Sequence, residues 1–353
     1  MGHSVVKSPR SATGYRQIQP QNSPQRSVDM YVHLRYVIQD IVAQPLTPSK
    51  VLYINPGCPW AARANLVRSL KGLEDVIQLV MMDSVMTEDG WCVSSSLVSN
   101  QSFTKPKPRP YTGRAGTAPC DPLYGFKLHK ELYLKADPNY SARYTVPVLW
   151  DKKKETIVNN ESSEIIRILY SAFDAFLSPA QREVNKPNGG FLPETLREQI
   201  DEMNEWVYST INNGVYRCGF ATTQEAYEEA LYPLFASLDR IEEILATNAR
   251  EGKGPYLFGK YITEADIRLF PTIIRFDAAY YTVRIDSIDI SDKHITQIRK
   301  QIFKCNLKMI RYSYPYMHTW LRKLYWDESE VTKGAFKSTT YFDHVSCFTH
   351  DVK

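Results

Sequence analysis

Between residues 50 and 173 the apolar positions fall in short runs separated by polar turns. Lys50-Val-Leu-Tyr-Ile-Asn55 is a continuous apolar stretch closed by Pro56-Gly57, the pattern of a short buried strand. A helix is predicted next. Pro59 suits its first turn, where a missing N–H costs nothing, and Ala61, Ala62, Ala64, Leu66, Val67 and Leu70 give it an apolar face up to Lys71-Gly72. Asp75 to Met82 reads as a second strand. Strand, helix, strand with buried strands on both sides is a βαβ unit, which puts Cys58 at the helix start, beyond the carboxyl end of the first strand.

The alternation then lapses. Asp83 to Asp121 keeps no period, and with Lys105-Pro-Lys-Pro-Arg-Pro110 as its most biased stretch it reads as a long surface insertion. Helical spacing returns over Phe126 to Lys135. Thr145-Val-Pro-Val-Leu-Trp150 is strand-like except for Pro147, a residue that belongs at a strand start, a sheet edge or a cis turn. Thr156-Ile-Val158 is a further strand and Ser162 to Phe173 a helix. Beyond Pro179 only helices are predicted: Pro193 to Ile211, Thr222 to Ala246, Thr263 to Ala279, Gln297 to Tyr312 and Pro315 to Trp326. Thr263-Glu-Ala-Asp266 has capping-box spacing, with Ile262 in place as a staple. The expected division is a polar extension over 1–44, with a weak helical pattern at Met30 to Val42; an α/β domain over 45–178; an all-α domain over 179–330; and a tail over 331–353.

Composition narrows the function classes. Lys+Arg 43 against Asp+Glu 39 leaves a formal charge of +4, too mild and too dispersed for a nucleic-acid-binding surface. No run approaches the ~18 apolar residues of a membrane span. The six cysteines, at 58, 92, 120, 218, 305 and 347, show no pairing pattern, which points to free thiols and a reducing compartment such as the cytoplasm. Residues 1–28 hold five Ser and four Lys/Arg but no acid, a bias common to disordered tails and organelle-targeting segments.

Asn55-Pro-Gly-Cys58-Pro59-Trp60-Ala61 is the sharpest chemical signal. A thiol at a helix N-terminus faces unpaired N–H groups and the positive end of the dipole, so its thiolate is expected to be favoured near neutral pH. Ala61 stands where the second thiol of a Cys-x-x-Cys pair would be, so exchange with an external thiol is the natural chemistry. The bland alternative is one more buried free cysteine.

Cys58-Pro-Trp-Ala61 on such a unit, followed by a helical domain, resembles the glutathione transferase superfamily and, within it, the glutathionyl-hydroquinone reductases of the xi class, relatives of the omega class. The resemblance spans about residues 50 to 350 and is carried also by Gly90-Trp91, Asp137-Pro-Asn-Tyr140, Arg143 with Thr145 to Lys152, Asn160 to Ile166, Asn213-Gly-Val-Tyr216, Gly219 to Tyr227, Thr263 to Leu269 and Arg275-Phe-Asp277. It implies a thioredoxin-like domain joined to a helical one, a homodimer, glutathione as co-substrate and no metal. It implies that Cys58 forms a mixed disulfide with glutathione and that Trp91 packs on the tripeptide. Val146, before a cis Pro147, would offer backbone groups to its cysteinyl unit; Glu161 and Ser162 would hold the γ-glutamyl end, and Arg143 would lie near the glycyl end. Tyr216 would face an aromatic glutathionyl-hydroquinone. Helix capping is the competing role for Glu161 and Ser162.

The chain also departs from the family. Ala62 replaces a histidine and Tyr144 an aliphatic residue. Ala278 to Ile302 carries an insertion, centred on 281–301, near the expected substrate side, and Phe348-Thr349 stands where a second substrate-facing tyrosine is expected. Two other readings stay open: an omega-like thioltransferase reducing dehydroascorbate or small mixed disulfides, and a glutathione-binding stress or interaction protein without turnover.

Overall fold

A computed structural model describes residues 49–83, 86–87, 90–93, 117, 120–281 and 305–345. The expectations for Met30 to Val42, Lys105 to Pro110, most of the 281–301 insertion and Phe348-Thr349 lie outside the described residues.

Strand β1 (Lys50–Ile54) is buried along its whole length because it has a neighbour on either side and a helix over its face. It pairs in parallel with β2 (Ile77–Met81), Leu52 opposite Leu79, after the crossover helix α1 (Pro59–Leu70). Two short strands follow, β3 (Met86–Thr87) and β4 (Gly90–Trp91), paired antiparallel inside the stretch expected to be a featureless insertion. Their exit is stitched to the body: Asp83 N–H donates to the Cys92 carbonyl (3.0 Å) and Val93 N–H to the Lys127 carbonyl (2.8 Å). Helix α2 (His129–Ala136) begins three residues later than Phe126, whose carbonyl is taken by the N–H of Asp121 (3.0 Å) in a turn.

β5 (Val148–Asp151) runs antiparallel to β1, β6 (Thr156–Asn159) antiparallel to β5, and the sheet order is β2-β1-β5-β6. The Val146–Pro147 bond is cis, so the proline lies just outside the strand, where no ladder hydrogen bond is lost. Helix α3 (Ser162–Ser171) closes this thioredoxin-like part beside α1.

Short 3-10 turns lead to the helical part: α4 (Arg197–Val207), α5 (Gly214–Phe220), α6 (Gln224–Arg250), α7 (Glu264–Arg275), α8 (Ile310–Ser313), α9 (Pro315–Tyr325), α10 (Ala335–Ser338) and α11 (Phe342–Val345). Helix α5 was not expected; Gly214 and Gly219 weaken its propensity, and packing against α6 overrides that. The helix expected over Gln297 to Tyr312 is also corrected, since residues 305–309 are not helical. The Asp277 carboxylate accepts from Ile310 N–H (2.7 Å) and Arg311 N–H (3.1 Å), which fixes the start of α8 at Ile310.

The capping box forms as its spacing predicts, with Asp266 accepting from Thr263 N–H (2.9 Å); this buried carboxylate also takes the Trp320 indole N–H (2.8 Å). Two positions earlier, buried Glu264 accepts from Arg167 of α3 (Nη2, 2.8 Å) and Asn204 of α4 (3.2 Å). That network fastens the sheet to the helices. Between them α1 is buried on nearly every side, which places Cys58 where the two parts meet.

Candidate active site

Cys58 is the N-cap of α1. Its N–H donates to the Asn55 carbonyl (3.0 Å), while the Asn55 side chain accepts from Gly57 N–H (2.8 Å) and donates to the Asp83 carbonyl (2.8 Å), so the turn beneath the sulfur is fixed at both ends. The expectation of a favoured thiolate needs correction. The residue keeps some exposure, yet burial of the thiol is the largest influence and pushes its pKa up; the N–H groups of Ala61 and Trp60 and the guanidiniums of Arg275 and Arg63 oppose it without winning.

The helical part brings a second set of groups to this sulfur. Tyr216, on α5, has its hydroxyl 3.2 Å from that of Tyr280, and the two rings meet edge to face at 5.8 Å. Trp60 stacks on Tyr216 (6.4 Å) and carries the Arg63 guanidinium over its other neighbourhood (4.6 Å). Tyr280 ends a π turn, Phe276–Tyr280, that continues α7; a second π turn, Tyr208–Asn212, delivers Asn212 to Arg63 (2.7 Å). Such turns rotate side chains off the helical register and recur at functional sites. Burial pushes the Tyr280 phenol up to about 12, with Arg275 pulling the other way. Tyr216 is raised well above the usual tyrosine range by burial, and Tyr280 and Cys58 add to the effect.

Arg275 is buried and donates to two carbonyls, Pro271 (2.9 Å) and Pro56 (3.1 Å), while its Nε has no partner among the described residues. Desolvation weakens its hold on its proton, and the groups that oppose this are Tyr280, Tyr216 and Cys58. A guanidinium buried beside three acids that ionise only under demand, rather than beside a carboxylate, favours anions that form during a reaction. Cys58 and Tyr216, both named from the sequence, are brought together here, whereas Tyr280 and the charge of Arg275 were not named; the Arg275-Phe-Asp277 block was the available signal.

The residues expected to hold glutathione form a second group. Val146 and the cis Pro147 are buried, and the preceding Thr145 carbonyl is supported from inside by the Tyr133 hydroxyl (2.8 Å) and His129 Nε2 (2.9 Å). Glu161 is the exposed N-cap of α3: its carboxylate accepts from Ser163 N–H (3.2 Å) and from the hydroxyls of Ser163 (3.1 Å) and buried Ser162 (3.4 Å). It also acts on Arg63, and through Arg63 on the Cys58 cluster. Trp91 is half-buried on β4 and Arg143 exposed before Thr145. Tyr144 packs with Tyr133 (5.6 Å) and Tyr140 (5.7 Å), an aromatic group that accommodates the change from an aliphatic residue. Among the described residues no three His, Cys, Asp or Glu side chains converge on a metal position, and no helix is long and apolar enough to cross a membrane.

Comparison with known proteins agrees with this geometry. Residues 57–172 match the glutathione S-transferase N-terminal domain and residues 224–323 the C-terminal domain. The chain is 41% identical over 304 residues to the glutathione S-transferase omega-like 2 of Schizosaccharomyces pombe, covering 86% of this chain and 81% of that protein. It is 46% identical over 242 residues to the glutathionyl-hydroquinone reductase YqjG of Escherichia coli, covering 68% of this chain and 64% of that one. Among solved structures it resembles the xi glutathione transferase ECM4 from Saccharomyces cerevisiae in complex with glutathione: TM-score 0.69, 39% identity, 87% of this chain and 88% of that chain covered. The two domain matches, in order, and the 41% identity to the omega-like transferase over 86% of the chain place this chain in the glutathione S-transferase family.

Proposed function

We propose that this protein is a glutathione-dependent thiol transferase that reduces S-glutathionyl-hydroquinones to hydroquinones through a Cys58–glutathione mixed disulfide. The observation that carries the reading is the meeting of Cys58 with the hydrogen-bonded phenols of Tyr216 and Tyr280, an arrangement that a disulfide substrate would not require. Cys58 thiolate attacks the sulfur of the adduct, the sulfur–ring carbon bond breaks, and the ring carbon takes a proton. A second glutathione then attacks the mixed disulfide, releasing glutathione disulfide and restoring the thiolate.

In this reading the tripeptide adds a strand at Val146, with Pro147 fixing the backbone. Its γ-glutamyl end meets Glu161 and Ser162 at the start of α3, Trp91 packs against it, and Arg143 serves the glycyl end. Burial leaves the free thiol high, so the glutathione sulfur must approach the same N–H groups before exchange is fast. The protein is also proposed to act as a homodimer, which light scattering tests directly.

A substrate panel on wild type and Cys58→Ser tests the assignment. Turnover of a glutathionyl-hydroquinone, abolished by Cys58→Ser, is the expected result. Robust reduction of small disulfides or dehydroascorbate with no hydroquinone release hands the site to the omega-like alternative, and glutathione binding with no turnover at all to a non-catalytic role.

A further inference from the structure

Resting on the hydroquinone reading, we propose that Tyr280, seated beside Arg275, is the proton reservoir behind Tyr216. The hydroxyls are 3.2 Å apart, and of the two phenols Tyr280 acts more strongly on Arg275, as the foremost of the groups that help it keep its charge. Of the two buried phenols, Tyr280 is therefore the one whose anion is better supported, and Tyr216 is the one stacked on Trp60 at the Cys58 helix.

The steps balance. As Cys58 thiolate takes the glutathionyl sulfur, the electron pair of the broken bond stays on the ring carbon. Tyr216 gives that carbon its proton and takes one from Tyr280, leaving a Tyr280 phenolate against the Arg275 guanidinium. When the second glutathione attacks the mixed disulfide as a thiolate, the proton it sheds returns to Tyr280. No other acid is needed, and the cycle closes with glutathionyl-hydroquinone and glutathione converted to hydroquinone and glutathione disulfide.

The 281–301 insertion begins at the residue after Tyr280, and Tyr280 is tied to the described chain beyond it, Cys305 N–H donating to the Tyr280 carbonyl at 3.0 Å. Tyr280 is held by its backbone as well as by its ring, which packs on Phe276 (6.4 Å).

Single-turnover release of hydroquinone from a glutathionyl-hydroquinone, followed in mixtures of light and heavy water, tests the relay. Wild type should show a curved proton inventory, the mark of two protons in flight, and Tyr280→Phe should be slowed about tenfold or more with a linear one. Glutathione-dependent reduction of a small mixed disulfide, which needs no carbon protonation, should be spared, so equal losses on both substrates assign Tyr280 a packing role and overturn the relay. A Tyr280→Phe enzyme with wild-type rate and a curved inventory overturns it too. Absence of hydroquinone release from wild type overturns the underlying reading instead.

Discussion

The Arg275 guanidinium donates to the Pro56 carbonyl at 3.1 Å across 219 residues of sequence, tying the last turn of α7 to the turn that presents Cys58. One buried cation thereby bears on both the turn before Cys58 and the field around its thiol. Because a guanidinium cannot easily lose its proton, the arrangement keeps a positive charge at the domain junction even where water is scarce.

The first prediction follows from that charge. The groups that bear on Cys58 are Arg275, Arg63, Tyr216 and Tyr280, with the N–H groups of Trp60 and Ala61. Removing the cation in Arg275→Gln disfavours the thiolate, so the pH profile of Cys58 alkylation by iodoacetamide should move to higher pH and the rate at neutral pH should fall several-fold. Arg275→Lys, which keeps the charge, should lie between the two. A thermal melt of each variant reads the lost Pro56 anchor separately.

Incubation with glutathione disulfide should add a single glutathione, at Cys58. Among the described residues Cys92, Cys218 and Cys305 are buried away from any such reagent, and exposed Cys120 does not cap a helix as Cys58 does. Intact-mass and peptide analysis finding the adduct chiefly on Cys120 would remove Cys58 as the exchanging thiol.

Glu161 has two roles to separate. As an N-cap its loss in Glu161→Ala should cost about 1 kcal/mol of stability. As partner of the γ-glutamyl ammonium its loss should weaken glutathione about tenfold or more, the value of roughly 1.5–3 kcal/mol for a charged hydrogen bond. Glu161→Gln keeps an acceptor for Ser163 N–H but not the charge, so its melting temperature should stay near wild type while calorimetry shows the weakened binding. Unchanged binding in both variants would take Glu161 out of the site.

How much of this could be read from the chain depends on whether the cause is local. The βαβ unit and the Thr263–Asp266 capping box each arise from neighbouring residues, so spacing exposed them, whereas for Pro147 spacing left strand start, sheet edge and cis turn open and the resemblance implied the cis form. The resemblance supplied the roles. Tyr280 was hidden because its meaning depends on Tyr216, 64 positions away, and on a π turn that departs from the helical period on which pattern reading relies. For the thiol of Cys58 the helix N-terminus is visible in sequence, but the burial that pushes its pKa up is a property of the folded chain. Likewise α8 starts where Asp277 caps it, a constraint imposed from across the insertion.

The last prediction concerns acid. His129 is buried between Tyr53 (6.3 Å) and Tyr133 (5.3 Å), and its Nε2 lies 2.9 Å from the Thr145 carbonyl, which can only accept; the ring is therefore the Nε2–H tautomer. Protonation would add a hydrogen at Nδ1, which has no partner among the described residues. Burial accordingly pulls its pKa down to about 4, with the Thr145 carbonyl opposing that pull. The unfolded chain takes up this proton below its usual value near 6.5 and the folded chain only near 4, so between these values the unfolded state binds more protons and stability rises with pH. Lowering the pH from 7.5 to 5 should cost on the order of 2 kcal/mol through this residue alone, measured as the difference between wild type and His129→Gln in urea unfolding at the two pH values. Because Thr145 precedes Val146 and the cis Pro147, loss of the His129 contact in His129→Gln should also weaken glutathione binding at neutral pH. Parallel acid dependence of the unfolding free energy in the two proteins would show that other groups dominate the acid loss, and unchanged glutathione binding in His129→Gln that His129 does not support this edge of the site.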